Sequence, residues 1–202
     1  MHTTHLRKDH LHGLMVGVAI GDALGGVRAG LPRRVALKMS GRPPLHYSLL
    51  GGRGLYGDET QLMLLAAQAL LRSRSDLRSY RRAFQKRLSW YPLGFPPGAR
   101  RATRLAASRC WLMRLRIPSG IDSEDNAAAT RAIFSALAMH GTGHRLSRWV
   151  EESTKFTHTH PMAIAGCQVL AQLAEYAALT SPAEFDAAQA VHQAIRNCNQ
   201  PS

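Results

Sequence analysis

Apolar residues recur at spacings of three and four through most of the chain, and no stretch alternates convincingly with polar positions as a strand would. The clearest run is Leu62, Leu65, Ala66, Ala69 and Leu70, which predicts a helix over 60–73. Gly51, Gly52, Gly54 and Gly57 prevent a regular element just before it. Upstream, 9–25 is a helix with Gly13, Gly17 and Gly21 on one side, a spacing that lets another helix approach closely; Gly25-Gly26 ends it. The region 27–56 is a long, mostly irregular loop in which Leu31-Pro32-Arg33-Arg34 opens a short helix and Arg42-Pro43-Pro44 closes it. Downstream, helices are expected over 77–90, 99–115, 127–139, 146–155, 163–179 and 183–195, with Ser181-Pro182 opening the last. No period recurs as a repeat. The class is all-α, a bundle of about seven helices around one core.

Length and composition narrow this picture. A chain of 202 residues forms one domain, 1–202, and at this size buries about 70% of its unfolded surface without a staple. Cys110, Cys167 and Cys198 lie far apart with no C-x-x-C spacing, so they make neither a disulfide framework nor a zinc site and suit a reducing cytoplasm. The formal net charge of +13 raises nucleic acid or an anionic membrane as a partner. Its basic flank, 78–116, reads instead as a solvated face that binds nucleic acid only nonspecifically. Arg7-Lys8 followed by Leu14 to Ile20 imitates a signal peptide, but Gly13 and Gly17 break the run and Asp22 follows without a cleavage site. No stretch is expected to reach the roughly 20 apolar residues of a membrane span.

The chemistry concentrates at Gly57-Asp58-Glu59-Thr60, two carboxylates and a hydroxyl at the mouth of a helix. One reading is a helix cap, in which Asp58 accepts first-turn N–H groups and Gln61 completes a capping box. The other is a hard-cation site, since clustered carboxylate and hydroxyl oxygens suit Mg²⁺ or Ca²⁺. Asp22, near the end of its helix, reads as a local hydrogen-bond acceptor. Asn126 opens the helix over 127–139 as an N-cap, and that same helix start suits a diphosphate. No nucleophile constellation is present, and the catalytic residue is unknown at this level.

Several segments together resemble the ADP-ribosylglycohydrolase family. Gly21-Asp22-Ala23-Leu24-Gly25 is similar to its N-terminal signature, Gly57-Asp58-Glu59-Thr60 to its Thr-Asp-Asp-Thr metal motif, and Asn126 through Arg131 to its Asn-Gly-x-x-Met-Arg segment. Thr157-His158 with Pro161 and Ala163-Ile164-Ala165-Gly166 is similar to its Thr-His turn and following helix. The resemblance implies Mg²⁺ held by Asp58, Glu59 and Thr60, a ligand pocket formed by Asn126, Ala127 and His158, and removal of ADP-ribose from a protein side chain through its N- or O-glycosidic bond. The partner it implies is an ADP-ribosylated protein or ADP-ribose itself. The chain departs from the pattern at Gly57, where a ligating hydroxyl is usual, at Glu59, where an aspartate is usual, and at Ala29, near the place of a glutamate. No Asp-x-Asp segment follows Asp58, so the domain is expected to lack the family's C-terminal metal-binding segment and to have weak or lost hydrolysis. The alternative is a non-catalytic relative that binds ADP-ribose or a nucleotide; a truncated copy and a basic nucleic-acid-binding protein are the remaining readings.

Overall fold

The computed structural model describes residues 8–42, 44–47, 51–74, 76–94, 97–112, 118–140, 146–181 and 183–198. These residues form nine α-helices: α1 Lys8–Gly25, α2 Arg33–Ser40, α3 Asp58–Ser73, α4 Leu77–Leu88, α5 Arg101–Trp111, α6 Ala129–Ala138, α7 Leu146–Lys155, α8 Pro161–Leu179 and α9 Ala187–Cys198. Short 3-10 turns follow α1 at Gly26–Arg28 and α4 at Tyr91–Gly94. Among the described residues there is no strand, and one isolated bridge pairs Ile121 with His158. The all-α class holds, with more helices than the seven expected.

The organising helix is α3. It packs on α1, α4 and α6, while α6 continues the contact to α7 and α8, and α9 lies on α8. Leu62, Met63, Ala66 and Ala69 of α3 are fully buried because their spacing keeps them on one face. Against that face stand Tyr80, Phe84 and Leu88 of α4, with Trp149 and Phe156 beyond. The Tyr80 ring lies 5.3 Å from Trp149 and 5.4 Å from Phe156, and Phe84 stacks on Phe156 at 5.2 Å. Aromatic contacts at these separations add to simple burial. A second cluster, Ala128, Ala132, Ala136, Val150, Cys167 and Ala171, joins α6, α7 and α8 through small side chains that allow close approach.

Several helix starts differ from expectation. Asp76 caps α4, accepting from Ser79 N at 2.7 Å. His160, with Pro161 just inside the helix, caps α8, so α8 begins two residues earlier than expected. The α9 helix starts at Ala187, where the Asp186 carboxylate accepts from Ala188 N and Gln189 N at 2.8 and 3.1 Å. Ser181 instead bonds Glu184 and does not open it; Pro182 lies outside the described residues. Of the helix expected over 99–115, positions 113–117 also lie outside them.

Two further expectations are corrected. A Cβ placed on Gly13, Gly17 or Gly21 meets nothing within 4 Å, so no helix among the described residues uses that glycine face. By length and composition alone, two segments are apolar enough to cross a membrane: Lys8–Arg28 at mean hydropathy 1.2 and Pro161–Leu179 at 1.3. Leucine, valine and isoleucine, with alanine in the second segment, supply that hydropathy, and both segments pack on neighbouring helices here.

Candidate functional site

The mouth of α3 is built by three separate segments. Gly57 occupies the N-cap position without any side-chain cap of its own, and Asp58 is already helical. The cap comes from α1: Asp22 Oδ2 accepts from Gly57 N at 2.8 Å, Thr60 N at 3.1 Å and Thr60 Oγ1 at 2.8 Å. Asp22 is therefore a long-range acceptor, not a local one, and the capping box expected of Asp58 and Gln61 does not form. From the other side, Pro97 O accepts from Asp58 N at 3.0 Å. This crowding explains Gly57, because a Cβ there would lie 2.9 Å from Pro97 O and 3.0 Å from Asp22 Oδ1. The site has no room for the hydroxyl residue that the resemblance leads one to expect.

The acids that result are uneven. Asp58 is buried and its Oδ2 has no partner among the described residues. Burial first, then the Asp22 charge, push its carboxyl up to about 6, while the backbone N–H groups of Asp58 and Arg100 and the Arg100 guanidinium pull the other way. Glu59 is also raised, by burial and by Asp58, and is anchored by Thr130 Oγ1 of α6 at 3.0 Å. That bond ties the mouth of α3 to the start of α6.

The second half of the site is the start of α6 with the turn after α7. Asn126 is exposed and precedes a helix whose N-cap position is Ala128, without a side-chain cap. Asp125 Oδ1 instead accepts from Ala127 N at 3.1 Å, in the turn ahead of the helix. Ala127 itself is fully buried. His158 is fully buried, with Nε2 2.7 Å from Asp125 Oδ1 and Nδ1 2.7 Å from Thr157 Oγ1. Both ring nitrogens are thus engaged by protein groups. Ile121 N donates to Thr157 O and Thr159 N to Ile121 O, each at 2.9 Å, which fixes this turn against 118–121. Arg131, one turn into α6, is completely buried and donates from Nη2 to Ser153 O at 2.9 Å and Thr157 Oγ1 at 2.6 Å.

The two halves meet. The exposed Arg100 guanidinium is close enough to act on Asp58, on Glu59 and on His158 alike. Through the Glu59–Thr130 bond, the mouth of α3 with Asp58, Glu59 and Thr60 stands next to the start of α6, where Asp125 holds His158.

The sequence model of the ADP-ribosylglycohydrolase family matches residues 3–201 of this chain. The chain belongs to that family. It is also similar to the ADP-ribosyl-[dinitrogen reductase] glycohydrolase of Rhodospirillum rubrum, 25% identical over 175 residues, or 83% of this chain. The match spans 58% of that relative's length.

Members of the family are commonly metal-dependent, so the residues here must be tested as a metal shell. Asp58 Oδ2, a buried oxygen with no partner, fits such a role. The remainder of the set is tied to protein partners. Thr60 Oγ1 donates its proton to Asp22 and keeps only its lone pairs for other contacts, while Asp22 Oδ2 accepts from three donors. Glu59 is turned to Thr130. Among the described residues no three His, Cys, Asp or Glu side chains converge on a common point. As arranged, Asp58, Glu59 and Thr60 do not form an Mg²⁺ shell, an ion that demands near-octahedral oxygen geometry.

Asp22 and Asp125 are the two carboxylates whose roles the sequence concealed. Asp22 was read only as a local acceptor and Asp125 lies beside the singled-out Asn126, yet each acts on a segment more than 30 positions away. For Asp125 a local signal did exist, since Ser123-x-Asp125 before a helix favours an Asx or Ser turn.

Proposed function

We propose that this ADP-ribosylglycohydrolase-family protein binds ADP-ribose carried on a protein side chain and cleaves its N- or O-glycosidic link only slowly. The observation that carries the reading is the Glu59–Thr130 bond, which ties the carboxylates at the start of α3 to the start of α6, where the Asp125–His158 pair stands, with the exposed Arg100 guanidinium near both. Such a site offers a cation for a diphosphate and carboxylates for ribose hydroxyls. Slow cleavage follows from the absence, among the described residues, of three acidic, His or Cys side chains grouped to hold a metal that would polarise a water or a leaving group. That same observation favours a second reading, an ADP-ribose-binding protein without turnover. A reducing cytoplasm is proposed on the buried free thiols of Cys110 and Cys167.

Titration with ADP-ribose and single-turnover release of ADP-ribose from a modified arginine substrate, with and without Mg²⁺, test both readings. Binding is expected to weaken about tenfold in Asn126→Ala, the loss of about one charge-assisted hydrogen bond. Release is expected to be slow and little changed by Mg²⁺. Fast Mg²⁺-dependent release that survives Asp58→Ala would overturn the assignment of the site.

A further inference from the structure

The buried Arg131 has no role in the account so far: its guanidinium lies over the Phe84 ring at 5.0 Å, its Nε and Nη1 make no hydrogen bond, and no carboxylate neutralises it by direct contact among the described residues. A fully buried guanidinium is costly, and a purely structural one is expected to be paired. Its Nη2 begins a chain of bonds whose direction can be worked out by counting protons. Guanidinium nitrogens only donate, so Thr157 Oγ1 is the acceptor at 2.6 Å. The single hydroxyl proton of Thr157 is then free for His158 Nδ1 at 2.7 Å. An accepting Nδ1 places the ring proton of a neutral histidine on Nε2, which donates to Asp125 Oδ1 at 2.7 Å.

The opposite arrangement fails on the same count. A proton on Nδ1 would give Thr157 Oγ1 two incoming donors and leave its own hydroxyl proton with no acceptor among the described residues. A neutral ring protonated at Nδ1 would also turn its Nε2 lone pair on the Asp125 carboxylate at 2.7 Å, and a ring protonated at both nitrogens would set a second positive charge beside Arg131. Burial, followed by the Arg131 charge, holds His158 below its ordinary value against the opposing pull of Asp125.

At the far end, Asp125 Oδ1 accepts from His158 and from Ala127 N, and Oδ2 from Ser123 Oγ at 2.9 Å. A carboxylate has about four acceptor positions, so one remains, and this side chain is 24% exposed. A negative group placed there repels a phosphate and accepts from a hydroxyl. We propose that Arg131 is a positioning residue which, through Thr157 and His158, fixes the Asp125 carboxylate in one orientation, and that the open acceptor of Asp125 takes a ribose hydroxyl of ADP-ribose. This rests on the ADP-ribose reading given above for its ligand, and on the bond geometry alone for its relay.

The two parts are tested separately on the full chain. A two-bond proton–nitrogen spectrum of the ¹⁵N-labelled protein reads the His158 tautomer without any ligand, and titration with ADP-ribose reads the consequence. Wild type and Thr157→Ser are expected to show neutral His158 protonated at Nε2, with affinities within about twofold of each other. Thr157→Val is expected to lose the single tautomer and about tenfold in affinity. If Thr157→Val does not fold, the wild-type spectrum and Asp125→Asn, at the solvent end of the chain, carry the test: the variant keeps the tautomer and loses affinity. A wild-type His158 protonated at Nδ1 would overturn the proposal, as would unchanged affinity in both Thr157→Val and Asp125→Asn. Absence of ADP-ribose binding in every form, with the tautomer as stated, overturns the ligand and not the relay.

Discussion

Asp58 carries the largest electrostatic cost at the mouth of α3. Its carboxyl sits at about 6 in the folded chain against an ordinary value of 3.8. Between those values the folded chain holds a proton that the unfolded chain has released, so stability falls as pH rises through the window and stays reduced above it. A shift of this size corresponds to about 2–3 kcal/mol. Asp58→Asn is therefore expected to be more stable than wild type by up to about 2 kcal/mol at pH 8 and to lose that advantage near pH 4. Urea unfolding at the two pH values, with a chelator present, checks it; a wild type that is the more stable at pH 8 would show its ionised carboxylate to be held by some partner. The sequence announced Asp58 through its glycine-rich approach and its place at a helix mouth. It did not announce that Asp22 would cap that helix, because the two lie 35 or more positions apart and only the packing of α1 on α3 brings them together. His158 was likewise visible as a motif residue, while the burial of both its ring nitrogens was not.

Helix existence was legible almost everywhere, because spacings of three and four are set by the burial of one face and that pattern survives in the sequence. Helix starts were less so. Ser181-Pro182 and Asp186 compete to open α9, and the carboxylate wins by accepting two N–H groups; a rule based on residue type alone cannot weigh the two. The glycines of α1 misled in another way. Their spacing is that of a close helix contact, yet an added methyl at Gly17 touches nothing. Gly17→Ala is accordingly expected to stabilise the fold by about 0.5–1 kcal/mol through helix propensity alone, as read from the shift of the unfolding midpoint. A loss of stability would mean that the face is occupied by something outside the described residues.

Charge is a property of the whole surface. Among the described basic residues of the flank, Arg78, Arg81, Arg82, Lys86, Arg100, Arg101, Arg104 and Arg109 lie in solvent, and Arg87 is half-buried. A dispersed field of this kind attracts duplex DNA by counterion release, which weakens about a thousandfold or more between 50 and 200 mM salt when several phosphates are neutralised. DNA binding is expected to vanish over that range while ADP-ribose binding changes little, and paired titrations at the two salt concentrations decide it. Tight DNA binding at 200 mM without an ADP-ribose signal would favour a nucleic-acid-binding protein. The attachment of α1 has a consequence of a different kind. This helix contributes no fully buried residue, lays Leu11, Leu14, Met15 and Val18 half-buried against the core and is fastened near its end by one carboxylate, so opening it exposes less apolar surface than opening α3. Its amides should exchange with deuterium by local fluctuations whose rates barely respond to urea, whereas those of α3 wait for global unfolding. Each such opening uncaps α3 and releases Asp22 from Thr60, so the chain visits, briefly and repeatedly, a state in which the oxygens at the cleft are free to take other partners.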